Sequence, residues 1–327
     1  MDLIRLRTLR ELARCGTMAA TAEFLHLTPS AVSQQVAQLE REAEVALIER
    51  RGRGVVLTPA GTRLVAHVER ILVILDEARS ELAQMRSEIA GELRVAAFPS
   101  IAVALVAPIV HNLRQAYPRL EVVVADLEPQ ESLSALSAWQ IDVAVVDDLA
   151  GASKARQEHY ELIPLTEDRL HVLLPASHPL ASRSTLTIAD LQDEAWALDS
   201  TNSSFGEFIA NLCRRSGFTP RINAHCAGFE MVAAMVASGN SISVVSGLRL
   251  LRPVEGVTAV RLAPAIQRKI FLAYRKGERK HPAVTVFLDE AIRTAGVLEG
   301  YQRDEAESES GLALSLIHIS EPTRLLS

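Results

Sequence analysis

Residues 17–58 read TMAATAEFLHLTPSAVSQQVAQLEREAEVALIERRGRGVVLT, and this stretch limits the possible folds more than any other part of the chain. Thr17 can cap a short helix whose apolar face is Ala20, Phe24 and Leu25, and His26 and Leu27 make the turn after it. Thr28 followed by Pro29 starts a second helix. The hydroxyl accepts from free first-turn amides, and proline suits a position with no amide bond to lose. Val32, Val36 and Leu39 recur at spacings of four and three, which gives one buried stripe. The opposite face carries Ser30, Ser33, Gln34 and Gln38, side chains able to reach base edges and phosphates. A Ser/Gln face alone is more often just solvated. Here, however, Val45, Leu47 and Ile48 lead into Glu49-Arg50-Arg51-Gly52-Arg53-Gly54 and then Val55-Val56-Leu57, a hairpin with a basic tip. Helix, turn, helix and basic wing describe a winged helix-turn-helix over residues 1–58. Thr28, Ser30, Ser33, Gln34 and Gln38 are its candidate groove contacts, and Arg50, Arg51 and Arg53 its backbone or minor-groove contacts to double-stranded DNA.

Thr58-Pro59 opens a long helix, expected over 59–90. Leu64, Val68, Ile71, Leu75, Ala78, Leu82, Met85 and Ile89 alternate four and three apart along it. An amphipathic helix lying on its own domain usually shows a wider stripe. A strict seam points to a two-stranded coiled coil, with Leu64, Val68, Ile71, Leu75 and Leu82 as dimer contacts. Two heads joined this way would read two half-sites.

After Gly91, strands at 93–98, 120–125 and 141–146 alternate with helices at 100–117 and 129–139, which implies parallel βαβ units. A second series follows, with strands at 169–174, 195–198, 221–224 and 241–245 and helices at 205–216 and 229–237. The chain then returns through a strand at 268–274 to a helix at 283–295. No GxSxG elbow, HExxH or P-loop pattern accompanies these units, so an enzyme would have only the α/β fold to rest on.

The head resembles the LysR-type transcriptional regulators. The residues that carry the resemblance are Ala19-Ala20, the turn at 25–27, Pro29-Ser30-Ala31-Val32-Ser33-Gln34, Leu39-Glu40, Glu49-Arg50 and Leu57-Thr58-Pro59-Ala60-Gly61. The likeness continues to about residue 296. It departs at Glu44, where the family usually has glycine, and at Ile48, where it usually has phenylalanine. The resemblance implies an effector domain at 91–300 of the two-lobed periplasmic-binding-protein type II kind, with lobe I at 91–161 plus 268–300 and lobe II at 162–267. A small-molecule effector would sit between the lobes. By the same resemblance Ser100, Asn202 and Phe229 line the cleft, with Asp147 and Ser246 near its rim. The loops at 99–102 and 199–204 add Ile101, Ser200 and Ser203. Helix starts after Pro99 and Ser204 favour an organic anion, while Glu230 and Asp147 would suit an amine. The family also implies a homodimer that pairs into a homotetramer, and RNA polymerase as a partner if the chain activates transcription. The competing readings are a ligand-independent architectural DNA-binding protein or, further off, an enzyme.

The formal net charge of -6 excludes a polybasic nucleic-acid binder, so DNA affinity must come from local arginines and doubled heads. Cys15, Cys213 and Cys226 form no CxxC, histidines lack ligand spacing, and neither a signal peptide nor an apolar run of membrane length is visible. A cytoplasmic protein without metal or cofactor is expected. Residues 301–327 are expected to be a disordered tail. Within it, 314–324 (LSLIHISEPTR) resembles an in-frame translation of a sequencing adapter, which leaves the native C-terminus open.

Overall fold

The computed structural model describes residues 1–25, 27–52, 54–85, 88–149, 160–199 and 204–308, the last ten as backbone alone. Helices α1 (Leu3–Cys15), α2 (Met18–Phe24) and α3 (Pro29–Ala43) precede the antiparallel hairpin β1 (Ile48–Arg51) and β2 (Gly54–Leu57). Thr17 and Thr28 cap α2 and α3 through their side-chain oxygens, as their sequence positions require. Leu9, Leu12, Val36, Leu39 and Leu47 are buried together, each stabilising the head by roughly 1.5–3 kcal/mol, and Val32 is buried as well. Glu44 caps α3 in the left-handed region at φ 53, so the bend that glycine would make without a Cβ penalty is kept by a glutamate. The Glu40 carboxylate accepts from the amides of Leu47 (2.8 Å) and Ile48 (3.2 Å), tying α3 to the wing.

Helix α4 (Pro59–Gln84) departs from the expected seam. Val68, expected at a dimer contact, is fully buried in the head's own core beside Leu72, with Leu64 and Leu75 packed at the edge of that core. The first half of α4 packs against α1 and forms one wall of that core, so these side chains are already taken. Ile71, Ile74, Leu82 and Met85 remain exposed. The helix ends at Gln84 rather than near 90, and Ile89 packs on the first lobe.

Lobe I begins with β3 (Gly91–Ala97), the single turn α5 (Pro99–Ile101), a π-helical stretch Ala102–Val106 and α6 (Ala107–Ala116). The expected continuous helix is interrupted because Pro108 cannot donate an amide bond, and the wide π turn before it absorbs the mismatch. Then come β4 (Leu120–Asp126), α7 (Pro129–Ser137) and β5 (Val143–Asp147), with β4 and β5 parallel to β3 on either side. Strand β6 (Tyr160–Pro175) is the longest strand. It is followed by β7 (Thr185–Leu186), β8 (Ala195–Asp199), α8 (Ser204–Arg215), β9 (Arg221–Cys226), α9 (Phe229–Ala237), β10 (Ser243–Ser246), β11 (Val257–Leu262), β12 (Gln267–Arg275) and α10 (Pro282–Ser308). The main sheet runs β4-β3-β5-β12-β6-β11-β7, with β10 also on β6. From Tyr160 to Arg169, β6 pairs with β12, and from Leu170 onward it pairs with β10 and β11. The first crossing between lobes therefore falls at Arg169 and Leu170 rather than at 161–162, because one continuous strand serves both lobes. The helix α10 continues to Ser308 where a disordered tail from 301 was expected, and residues 309–327 lie outside the described residues. Among the described residues no helix is long and apolar enough to cross a membrane.

The head rests on lobe I through charged and aromatic groups. Trp139, held at φ 60 after α7, donates its indole N–H to Asp76 of α4 at 2.9 Å. Asp76 also pairs with Nε of Arg275 at 3.2 Å, and the guanidinium groups of Arg7 and Arg10 lie 4.3 and 5.1 Å from the Trp139 ring. Arg10 donates to the carbonyl of Ser137 at 2.7 Å. Gly277 lets this interface close, since a Cβ there would lie 2.5 Å from the Val73 carbonyl and 2.6 Å from the Asp76 Cβ.

Candidate DNA-reading face and effector cleft

The α3 face opposite Val32, Val36 and Leu39 is open. Ser30, Ser33 and Gln34 are exposed, and Gln38 is half-buried, engaging Glu42 and Arg41 of its own helix. Thr28 spends its hydroxyl oxygen as the helix cap (3.2 Å to the Ala31 amide) and lies 2.9 Å from the Ser30 hydroxyl, so its part at a groove would be to position the helix start. Arg50 and Arg51 are exposed on β1, and Gly52 turns the hairpin at φ 61. Arg53 lies outside the described residues.

Between the lobes lies a cavity of about 410 Å³, within the range of roughly 300–1,000 Å³ usual for small-molecule sites. Arg268, near the start of β12, is its organising group and is almost fully buried. Its Nε donates to Asp168 at 2.9 Å, Nη1 to Asp147 at 3.1 Å, and Nη2 to the hydroxyls of Ser100 (2.6 Å) and Ser246 (3.1 Å). Ser246 in turn donates to Asp168 at 2.5 Å. The guanidinium also lies 4.7 Å from the ring of Phe98 and 5.5 Å from that of Phe205. One cation thus joins lobe I (Ser100, Asp147) to lobe II (Ser246) at the hinge. Burial pushes the Asp147 carboxyl upward against the opposing pull of Arg268.

Ser100, Asp147, Phe229 and Ser246 all line this cavity. Ile101 does not: one residue on from Ser100 the turn points it into the lobe I core, where it is fully buried. Ser200, Asn202 and Ser203 lie outside the described residues. Arg268, Asp168, Glu128, Asp199 and Arg249 had not been singled out as site residues. A signal for two of them exists in the strand alternation. Arg268 is in phase with Ile270 and Leu272, and Asp168 with Leu170 and Val172, so each charged residue sits on an inward face.

The helix starts expected to attract an anion are largely occupied. The Ser204 amide and hydroxyl both donate to Glu128 across the cleft, at 3.2 and 3.0 Å, and the Gly228 amide donates to Asp199 at 3.2 Å. Helix α5 is a single turn with little dipole to offer. Burial, aided by the nearby Asp147 and Asp199, raises the Glu128 carboxyl above the usual range. Cys213 is sealed in the lobe II core, where burial pushes its thiol up to about 11, the opposite of what a reactive cysteine needs. No group of three or more His, Cys, Asp or Glu residues able to hold a metal ion occurs among the described residues.

Two family models cover this architecture. Residues 3–62 match the bacterial regulatory helix-turn-helix protein, lysR family, and residues 86–296 match the LysR substrate binding domain. The chain belongs to the LysR family. It is a LysR-type transcriptional regulator with a helix-turn-helix head and an effector-binding domain. Similar proteins include the transcriptional dual regulator GltC of Bacillus subtilis, 24% identical over 92% of this chain and 100% of the relative. The regulator CysL of the same organism is 26% identical over 69% of this chain and 74% of the relative. Among solved structures, full-length OxyR C199D from Pseudomonas aeruginosa superposes with a TM-score of 0.60 at 22% identity, covering 89% and 94% of the two chains. Full-length CbnR complexed with its target DNA superposes at 0.52 with 22% identity, covering 90% and 100%. For this LysR-type chain the likeness to the solved structures carries the fold, and the roles of individual side chains rest on the geometry above.

Proposed function

We propose that this LysR-type regulator reads an operator through Ser30, Ser33, Gln34 and Gln38 in the major groove, with Thr28 setting the helix start and Arg50, Arg51 and Arg53 on the backbone or minor groove. Binding would be tuned by a small molecule held around Arg268 between the lobes. The observation that carries the reading is the open polar face of α3 beside a basic wing, on a helix whose Val32, Val36 and Leu39 are buried. The protein acts in the cytoplasm, as a regulator rather than an enzyme. It dimerises through the exposed half of α4, with Ile71, Leu82 and Met85 from the expected seam and Ile74 beside them, and it pairs again through effector domains into a tetramer. A gel-shift titration of Gln34→Ala and Arg51→Ala tests the reading. Losing a base-edge contact should cost about 1–3 kcal/mol at one operator position, whereas losing the wing arginine should weaken all sequences alike and flatten the salt dependence. Equal binding by the wild type and the double variant would refute it.

A further inference from the structure

The charges around the cleft do not balance. Among the described lining residues stand five carboxylates, Asp126, Glu128, Glu131, Asp147 and Asp199, against two arginines, Arg249 and Arg268. Arg268 adds no free positive charge, because it already faces both Asp147 and Asp168 and donates to two serine hydroxyls. Asp126 and Glu131 are exposed at the rim, where water screens them, but Glu128, Asp147 and Asp199 are partly or fully withdrawn from water. They come from three separate elements and feel one another's charge, and like charges brought together in a low-dielectric cleft are unfavourable unless a cation joins them. Arg249 is the complement. Its guanidinium lies 5.4 Å from the Phe229 ring, half-buried at the cavity wall, and it makes no hydrogen bond or ion pair among the described residues. Among the described residues the cleft therefore offers a surplus of withdrawn negative charge and, in Arg249, a cation that faces the charges of Glu230 and Asp199 without bonding to either.

We propose that the effector is a zwitterion of amino-acid size, its ammonium group taken by the carboxylates of Glu128, Asp147 and Asp199 and its carboxylate by Arg249. This rests on the reading of the cleft as the effector site and narrows it. The anionic end expected from the sequence is kept, moved from the helix starts to an arginine side chain, and a positive end is added. Phe98, Phe205 and Phe229 leave room and apolar surface for a side chain in between.

The test is a thermal-shift and calorimetric titration of the full-length chain with each of the twenty protein amino acids. Any amino acid that binds is then compared with its matched carboxylic acid lacking the amine and its matched amine lacking the carboxylate. The expected result is at least one amino acid that raises the melting temperature, with each truncated analogue weaker by about tenfold or more, and a similar loss in Arg249→Gln. Glu128→Gln should weaken the amino acid and its amine while leaving the carboxylic acid unchanged. A matched carboxylic acid that binds as tightly as its amino acid would overturn the ammonium site while leaving the cleft as the effector site. No shift with any of the twenty would overturn the zwitterion outright. Binding indifferent to Arg249→Gln but weakened by Glu128→Gln would overturn the arginine assignment alone, and binding indifferent to both would refute the cleft reading beneath it.

Discussion

Replacing Asp76 by alanine should destabilise the protein more than any surface change of equal size. Asp76 is 2% exposed, accepts from the Trp139 indole at 2.9 Å and pairs with Arg275 Nε at 3.2 Å. Removal orphans the buried indole N–H of Trp139, costing about 1–3 kcal/mol, and deletes an ion-pair contact with Arg275 Nε that carries no hydrogen bond. Arg275 would not be stranded, since Asp142 (3.2 Å) and Glu278 (2.5 Å) remain beside it. The loss should therefore be about 1–3 kcal/mol, set by the orphaned indole N–H rather than by an unpaired charge, out of a total that is typically about 5–15 kcal/mol. Urea titration at fixed protein concentration, followed by far-UV circular dichroism and tryptophan emission, measures it. Two tryptophans report: Trp196 is sealed in the lobe II core and Trp139 stands at the head interface, so undocking would redden the emission before the helices melt. A midpoint shift equivalent to under about 1 kcal/mol with unchanged native emission would refute the argument, because it would mean Asp76 is solvated and the head is not seated on lobe I.

The other expectations are narrower. Gly61→Ala should cost several kcal/mol and disorder the wing in thermal melts, because a Cβ would lie 2.0 Å from the Leu47 carbonyl; a melting temperature within a degree of wild type would contradict the packing. Glu44→Gly should be neutral or stabilising by up to about 1 kcal/mol, since relief of the left-handed strain offsets the entropy glycine adds to the unfolded chain; a clear loss by the same melt would mean the side chain is needed. Glu278, with Asp76 and Asp142, is one of three carboxylates around Arg275, and burial pushes it up to about 7 from an ordinary 4.5. A raised carboxyl favours the folded state most below the unfolded value and loses that contribution as pH rises through the folded one. Wild type should thus lose about 3 kcal/mol between pH 4.5 and 7 that Glu278→Gln does not lose, and parallel pH profiles in urea would rule this out.

Much of the head was legible from local chemistry. Thr17, Thr28 and Thr58 are caps whose spacing to an apolar stripe fixes where helices begin, and the Gly52 turn marks the wing. What the sequence could not supply was competition between partners. The seam of α4 repeats like a coiled coil, yet Val68 is buried in the head's core together with Leu72. In the cleft, hydroxyl-rich loops drew attention to helix starts, whereas Glu128, distant in sequence, had already claimed the start of α8. Arg268 stands out only by its phase with Ile270 and Leu272, because one arginine at the start of a strand otherwise looks like a solvated one.

Strand β12 offers a direct route from ligand to head. It carries Arg268 in the cleft and, seven residues on, Arg275 against Asp76 of α4, a separation of about 23 Å along an extended strand. It lies between β5 and β6, so it cannot bend freely, and the shift in register at Ile270 and Phe271 is the place where one end can adjust against the other. A ligand that redistributes the carboxylates around Arg268 changes the balance on a rod whose far end holds the linker helix. Linkage makes the effect reciprocal: a change at the Asp76 end must alter ligand affinity by the factor with which ligand alters the seating of the head. Asp76→Asn, which keeps the shape and removes the charge, should therefore change the affinity for whichever amino acid the titration identifies by about fivefold or more, although it touches nothing in the cleft. Identical titration curves for wild type and Asp76→Asn would mean that the two arginines, though on one strand, are energetically independent.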